Sequence, residues 1–123
     1  MDWNEAQDKV QTNIKVSTDL NSANSTYRFV KSVDSVINSK RYGYDGERGF
    51  VVAIGKSNDI KIPWRMLREC FIQLSSSSGY DSVFLNEHFP LQAHDHPCHV
   101  HVIGQMFVKA GVARTIGSRY RLL

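Results

Sequence analysis

Alternating apolar and polar residues dominate the first half of the chain, and this period of two is typical of β-strands. The strands predicted by the alternation and by short β-branched apolar runs lie at residues 13–17, 26–37, 50–55 and 59–62. Residues 55–58 favour a hairpin turn and the glycine-rich stretch 42–49 another turn. Asp2 is a suitable N-cap for a short helix ahead of the first strand. Residues 13–62 are therefore expected to form a small, mostly antiparallel sheet.

Two parts of this prediction rest on weaker patterns. Residues 17–26 are rich in serine, threonine and asparagine, which predicts a loop. In the segment after it, Val30, Val33 and Ile37 also fit the spacing of a helix. The alternation of Phe29 with its neighbours favours a strand there.

The period changes at Pro63, where the pattern of a helix begins. Proline suits the start of a helix, because the N–H that it lacks would be unpaired there anyway. The apolar positions of this strongly amphipathic helix are Met66, Leu67, Cys70, Phe71 and Leu74. A serine run at 75–79 ends it. A second helix is expected over 81–89, capped by Asp81 and stopped by Pro90, and then a loop.

The segment that starts at Pro97 fits two periods. As a strand it would place His99 and His101 on one face, but the alternation fails at Gly104. As a helix it places Val100, Ile103, Met106, Phe107 and Ala110 on one apolar stripe. The helical pattern lasts longer and predicts a helix over 96–110. Asp95 or His96 would cap its start, and Gly111 would follow its end.

The last residues predict a β-hairpin, with Gly117 and Ser118 in the turn. Three helices followed by a short hairpin is the order of a winged-helix domain, in which the second and third helices form a helix-turn-helix pair. The link between helices 81–89 and 96–110, about six residues, is longer than in a tight pair. The expected fold class is α+β, with a small antiparallel sheet packed against a winged-helix-like half. The lobes, residues 1–62 and 63–123, are expected to form one compact domain.

The charge distribution favours an anionic partner. The formal net charge is only +3, but the chain contains no acidic residue after Asp95. The basic residues of that segment are Lys109, Arg114, Arg119 and Arg121. A basic end of this kind is typical of proteins that bind nucleic acid or phosphate, and equally of a merely solvated surface.

Three side chains on one face of the predicted helix 96–110 suit recognition of a nucleic acid. His101, Gln105 and Lys109 follow each other at intervals of four residues, which places them one above another. We expect this row to face the major groove of duplex DNA or another polyanion. The arginines of the hairpin, Arg114, Arg119 and Arg121, are then expected to contact backbone phosphates. The favoured function is a non-enzymatic nucleic-acid-binding or regulatory module without a cofactor.

The histidine-rich segment 94–101 offers a different function, a metal-dependent or phosphate-handling enzyme. His94, His96, Cys98, His99 and His101 are all possible zinc ligands. The segment lacks the paired spacing of a strong zinc signature, so no metal ligand is assigned. Its last residues also resemble the end of the histidine-triad motif of nucleotide hydrolases, with His99 as nucleophile. Proline stands at position 97, where that motif has its first histidine.

Two further alternatives involve binding without catalysis. The face around His101, flanked by Val102 and Val108, is also suited to the seam of a homo-oligomer. A small ligand between sheet and helices is the other alternative.

Cysteine content and hydropathy bear on the compartment. Two cysteines make no disulfide framework, and Cys70 is expected to be a small buried apolar residue. The polar, acidic start of the chain resembles no signal peptide, and no apolar run approaches the ~18 residues of a membrane span. A cytoplasmic protein without membrane contact is therefore expected.

Three stretches carry a resemblance to a known group of proteins. They are residues 60–71, residues 79–81 and, above all, residues 88–113. Together they resemble a run found in uncharacterised bacterial integron gene-cassette proteins, which belong to mobile elements. The resemblance implies a compact, often homo-oligomeric α+β protein in a bacterial setting. It implies no catalytic or binding residue.

Overall fold

The computed structural model describes residues 1–21 and 28–123. Its elements in chain order are α1 (Trp3–Asn13), β1 (Arg28–Ser39), β2 (Tyr44–Ile54), β3 (Asp59–Pro63), α2 (Trp64–Leu74), α3 (Ser82–His88), α4 (Pro90–Asp95), α5 (His99–Ala110), β4 (Ala113–Ile116) and β5 (Arg119–Leu122). The predicted α+β fold class is confirmed. Part of the predicted loop 17–26 and the start of the predicted strand 26–37 lie outside the described residues.

The three long strands form one antiparallel sheet in the order β1-β2-β3. The predicted turn at 55–58 joins β2 to β3, and the N–H of Ile54 donates to the carbonyl of Asn58 at 2.9 Å. β1 is an edge strand with three register irregularities against β2. Asp34, beside one of them, has a left-handed φ of 55°. Such bulges bend an edge strand and interrupt its hydrogen-bonding ladder.

Three helix signals of the sequence are confirmed. The carboxylate of Asp2 accepts from the N–H of Glu5 at 2.9 Å, so Asp2 caps α1. Pro63 directly precedes α2, whose predicted apolar stripe is buried. Asp81 caps α3 by accepting from the N–H groups of Val83 and Phe84.

Two predictions in the sheet region are wrong. Residues 13–17 form no strand, because α1 continues to Asn13 and the N–H of Ile14 still bonds to the carbonyl of Val10. The glycine-rich stretch 42–49 is mostly strand rather than turn, since β2 begins at Tyr44. Gly49 lies where β2 meets β3, and any Cβ there would overlap the carbonyl of Ile62. That glycine is therefore a packing requirement and not a turn signal.

The segment before α5 also differs from its prediction. Residues 90–95 form the short helix α4 instead of a loop, with Pro90 in its first turn. Proline ends one helix and starts the next equally well, because a first-turn residue needs no N–H partner. α5 begins at His99, not at 96, and neither Asp95 nor His96 caps it. Gly111 ends it in the left-handed conformation at φ 81°, as predicted.

The helix α5 is the centre of the molecule. Eight of its twelve residues are buried, including the whole predicted apolar stripe. α1 packs beside it and is tied to it by the side-chain amide of Asn13, which donates to the carbonyl of Ala110 at 2.9 Å. Buried residues of both predicted lobes belong to one continuous core cluster. Most of the surface of α5 is therefore already occupied by the protein itself.

The hairpin of β4 and β5, which the sequence predicts, packs against one side of α5. Tyr80, in the linker between α2 and α3, forms an antiparallel bridge with Tyr120, and both backbone hydrogen bonds measure 2.9 Å. The ring of Tyr120 lies directly on Gly104 of α5, so that a Cβ at that position would overlap the ring. Glycine at 104 allows the hairpin to approach the helix this closely.

We expect Gly104→Ala to destabilise the protein by about 1–3 kcal/mol, the usual cost of overpacking. Glycine to alanine at an unobstructed helix position instead stabilises by about 1 kcal/mol. Urea unfolding of the variant measures the difference. The penalty should shrink in a Tyr120→Leu background, because the two residues are then no longer in conflict. An alanine variant as stable as the parent would contradict the packing of Tyr120 on Gly104.

Candidate functional site

The histidine-rich segment is divided among three parts of the fold. His94 is exposed on α4, His96 follows α4 in an irregular turn, and His99 and His101 belong to α5. Cys98 is half-buried immediately before α5. Across residues 1–21 and 28–123, no three His, Cys, Asp or Glu side chains are grouped so that they could hold a metal ion. The ligands of the metal hypothesis thus do not converge within the described structure.

His99 is a buried structural residue. Its side chain is 1% exposed, and its Nδ1 lies 2.8 Å from the carbonyl oxygen of His96. Burial lowers the pKa of His99, so the neutral imidazole is favoured, with Nδ1 as donor to that carbonyl. The histidine-triad hypothesis is wrong, because its nucleophile would be inaccessible and the segment is a helix rather than a strand.

The predicted row of His101, Gln105 and Lys109 is only partly an open face. His101 and Gln105 are half-buried, and only Lys109 is exposed. The hydroxyl of Tyr120 lies 3.0 Å from Nδ1 of His101 and 3.5 Å from Nε2 of Gln105. Two of the three side chains that were expected to face a DNA groove therefore contact the hairpin of the same molecule.

The positive charge of Arg28, at the start of β1, influences the same group of side chains. Burial raises the pKa of Cys98 and of Tyr120 and lowers that of His101, and the positive charge of Arg28 lowers all three pKa values. Nη1 of Arg28 is buried and has no hydrogen-bond partner among the described residues. No local spacing could have predicted this electrostatic influence, because Arg28 is far in sequence from Cys98, His101 and Tyr120.

The three hairpin arginines have different environments. Arg114 on β4 and Arg121 on β5 are directly opposite each other in the register. Neither of them is within 4.0 Å of an acidic side chain among the residues that the structure describes. Arg119 instead forms an ion pair with Asp81 at 3.4 Å and donates to the carbonyl of Ser78.

Asp95, predicted as a helix cap, has a different role. Nε and Nη2 of Arg41 donate to its two carboxylate oxygens at 2.6 and 3.0 Å, and the hydroxyl of Tyr42 donates at 2.6 Å. Hydrogen bonds from Arg41 and Tyr42 hold the pKa of Asp95 well below its usual range. Burial, together with the bond to Asp95, raises the pKa of Tyr42 to about 12. This clasp fixes the β1–β2 turn to the end of α4.

Comparison of the chain with protein-family models, with curated proteins and with solved structures finds no match. No helix within the described ranges has the length and apolar character needed to cross a bilayer.

The hydrogen bonds of Asp95 with Arg41 and Tyr42, which form this clasp, make the free energy of unfolding depend on pH. The variant Asp95→Asn tests this dependence. The pKa of Asp95 is lower in the folded protein than in the unfolded chain, where it is about 3.9. The hydrogen bonds of Asp95 therefore contribute fully to the free energy of unfolding above that pH, and the contribution is lost as pH falls below it. We expect the variant to melt below the parent at neutral pH and the gap to close in acid. Asp45→Asn, which changes an exposed carboxylate with no ion pair among the described residues, is the control. Equal melting temperatures at neutral pH would refute the role of the clasp.

Proposed function

We propose that the chain is a non-enzymatic nucleic-acid-binding module that contacts backbone phosphates through the outer face of the β4–β5 hairpin. The observation that carries this proposal is the pair Arg114 and Arg121, which lie opposite each other without an acidic partner in the described structure. Like charges directly opposite on a hairpin destabilise it. A phosphate bound between them would relieve the repulsion, and arginine suits phosphate because its guanidinium donates two parallel hydrogen bonds.

The alternation of side chains extends this basic face. Tyr120 points inward and is 3% exposed, so its neighbours Arg119 and Arg121 point to the opposite side of the strand. Arg119 shares this outer side with Arg114, although its ion pair with Asp81 compensates part of its charge. Lys109 is exposed on the last turn of α5, where the helix leads into β4. Three of the four basic residues that follow Asp95 thus lie on the outer side of the hairpin, and the fourth, Lys109, precedes the hairpin on α5.

The chain order supports the same interpretation. A helix, the bridging residue Tyr80, further helices and a terminal hairpin follow each other as in a winged-helix domain. The proposed contact differs from a groove-reading helix, because α5 is mostly buried and His101 and Gln105 bond to Tyr120. Lys109 alone of the predicted row remains exposed to meet the polyanion. Since phosphates carry no sequence information, we expect binding with little sequence preference.

Titration of a fluorescent DNA duplex at several salt concentrations tests the proposal. The logarithm of the binding constant should fall linearly with that of the salt concentration, because each phosphate contact releases counterions. In the double variant Arg114→Ala, Arg121→Ala the affinity should fall and the salt slope should decrease by about 2. The matched control is Arg48→Ala, Lys56→Ala, which removes two exposed positive charges from the sheet region. No binding at low salt, or an equal loss in the control, would refute the proposal.

A further inference from the structure

The linker between α2 and α3 brings an acidic side chain to the outer face of the hairpin. Tyr80 forms an antiparallel bridge with Tyr120, and in an antiparallel pair the neighbouring residues oppose each other in reverse order. Asp81 therefore lies opposite Arg119, and its carboxylate oxygen Oδ2 is 3.4 Å from Nε of Arg119. One member of the basic outer face is thus in direct contact with an acid.

The same register leaves Arg121 without such a contact. The residue on the other side of Tyr80 is Gly79, which has no side chain. A Cβ at Gly79 would overlap the carbonyl oxygen of Tyr120 and crowd the side chain of Arg121. An acidic residue therefore cannot stand opposite Arg121 without moving the linker. The linker compensates one of the two arginines of β5 and leaves the other open.

Asp81 is held in place independently of Arg119. Its other oxygen, Oδ1, caps α3 by accepting from the N–H of Val83 at 3.1 Å and from that of Phe84 at 3.2 Å. The side chain of Asp81 is 18% exposed, whereas that of Arg119 is 56% exposed. The second contact of Arg119, from Nη1 to the carbonyl of Ser78, is long at 3.4 Å. The arginine can therefore leave the pair while the carboxylate stays in position.

A phosphate can replace Asp81 on Arg119. An exposed ion pair contributes little, because water and salt screen it and the long side chain loses freedom. Asp81 offers the guanidinium one oxygen, since the other caps α3, whereas a phosphate accepts two parallel hydrogen bonds. Arg119 and Arg121 are two residues apart on one strand, about 7 Å. A duplex bound at Arg121 brings further phosphates within reach of Arg119, because it carries one charge about every 1.7 Å of its axis.

We propose that Asp81 is an autoinhibitory residue, which occupies Arg119 in the free protein and is displaced from it by a phosphate of the bound nucleic acid. The inference rests on the proposed contact of the outer face with nucleic acid and adds the residue that limits its strength. The carboxylate of Asp81 is an internal substitute for the phosphate. Each binding event therefore has to break this ion pair before Arg119 contributes.

The variant Asp81→Asn tests the proposal, because asparagine caps a helix as well as aspartate does but carries no charge. In the duplex titration we expect its affinity to exceed that of the parent by up to about fivefold, the equivalent of one exposed ion pair. The salt slope should increase by about 1, because the released Arg119 adds one phosphate contact. In an Arg119→Ala background the same substitution should have little effect, since no arginine is released.

The matched control is Glu87→Gln. Glu87 is exposed, lines the same cleft of about 290 Å³ as Asp81 and Arg119, and forms no ion pair within the described part of the chain. Its neutralisation changes the net charge by the same amount but releases no arginine, so the salt slope should stay that of the parent. Equal gains in the two variants would attribute the effect to net charge alone and overturn the role of Asp81.

The outcomes distinguish this inference from the proposed function. If the parent binds DNA and Arg114→Ala, Arg121→Ala weakens it, but Asp81→Asn brings no gain, the proposed function stands and the autoinhibition is refuted. If neither the parent nor Asp81→Asn binds at low salt, both fail. The NMR signal of the Arg119 Nε–H group should shift in Asp81→Asn, and in the parent when DNA is added. Circular dichroism checks folding, and Asp81→Ser, also a capping residue, replaces Asp81→Asn if that variant does not fold.

Discussion

The contact between Tyr120 and Gly104 determines how the C-terminal half is arranged. The absence of a side chain at Gly104 lets an aromatic ring lie directly on the backbone of α5. The same ring places its hydroxyl beside His101, while the backbone of Tyr120 bonds to Tyr80. One residue therefore connects the central helix, the hairpin and the linker that precedes α3. Because side chains alternate along a strand, the inward position of Tyr120 sets the side to which the other hairpin side chains point.

This arrangement gives the hairpin two chemically different faces. The inward residues of β5 complete the core and a group of polar side chains at the start of α5. The outward ones form a basic surface in which Arg114 and Arg121 are neighbours. Because side chains alternate along a strand, a shift of β5 by one residue would turn its inward side chains outward and its outward side chains inward. The basic outer surface and the inward contact of Tyr120 with His101 are thus both positioned by one structural contact.

Local signals in the sequence predicted most elements and few of the contacts between them. Asp2, Pro63, Asp81 and Gly111 act on their own helices, so their roles could be inferred from neighbouring residues. The period of α5 identified its buried stripe but not what covers its other faces. Gly49 and Gly104 have roles that depend on residues distant in sequence, and Arg28 and Asp95 likewise find their surroundings only through tertiary packing. For the same reason, the sequence did not predict that His101 and Gln105 are half-buried against Tyr120.

The most direct measurement is a nuclear Overhauser spectrum of the folded protein in solution, read for the ring protons of Tyr120. If the hairpin is seated on α5, these protons show strong cross-peaks to the Hα protons of Gly104 and weaker ones to the His101 ring. A Tyr120 ring without cross-peaks to Gly104, and with the averaged shifts of a solvated tyrosine, would contradict the account.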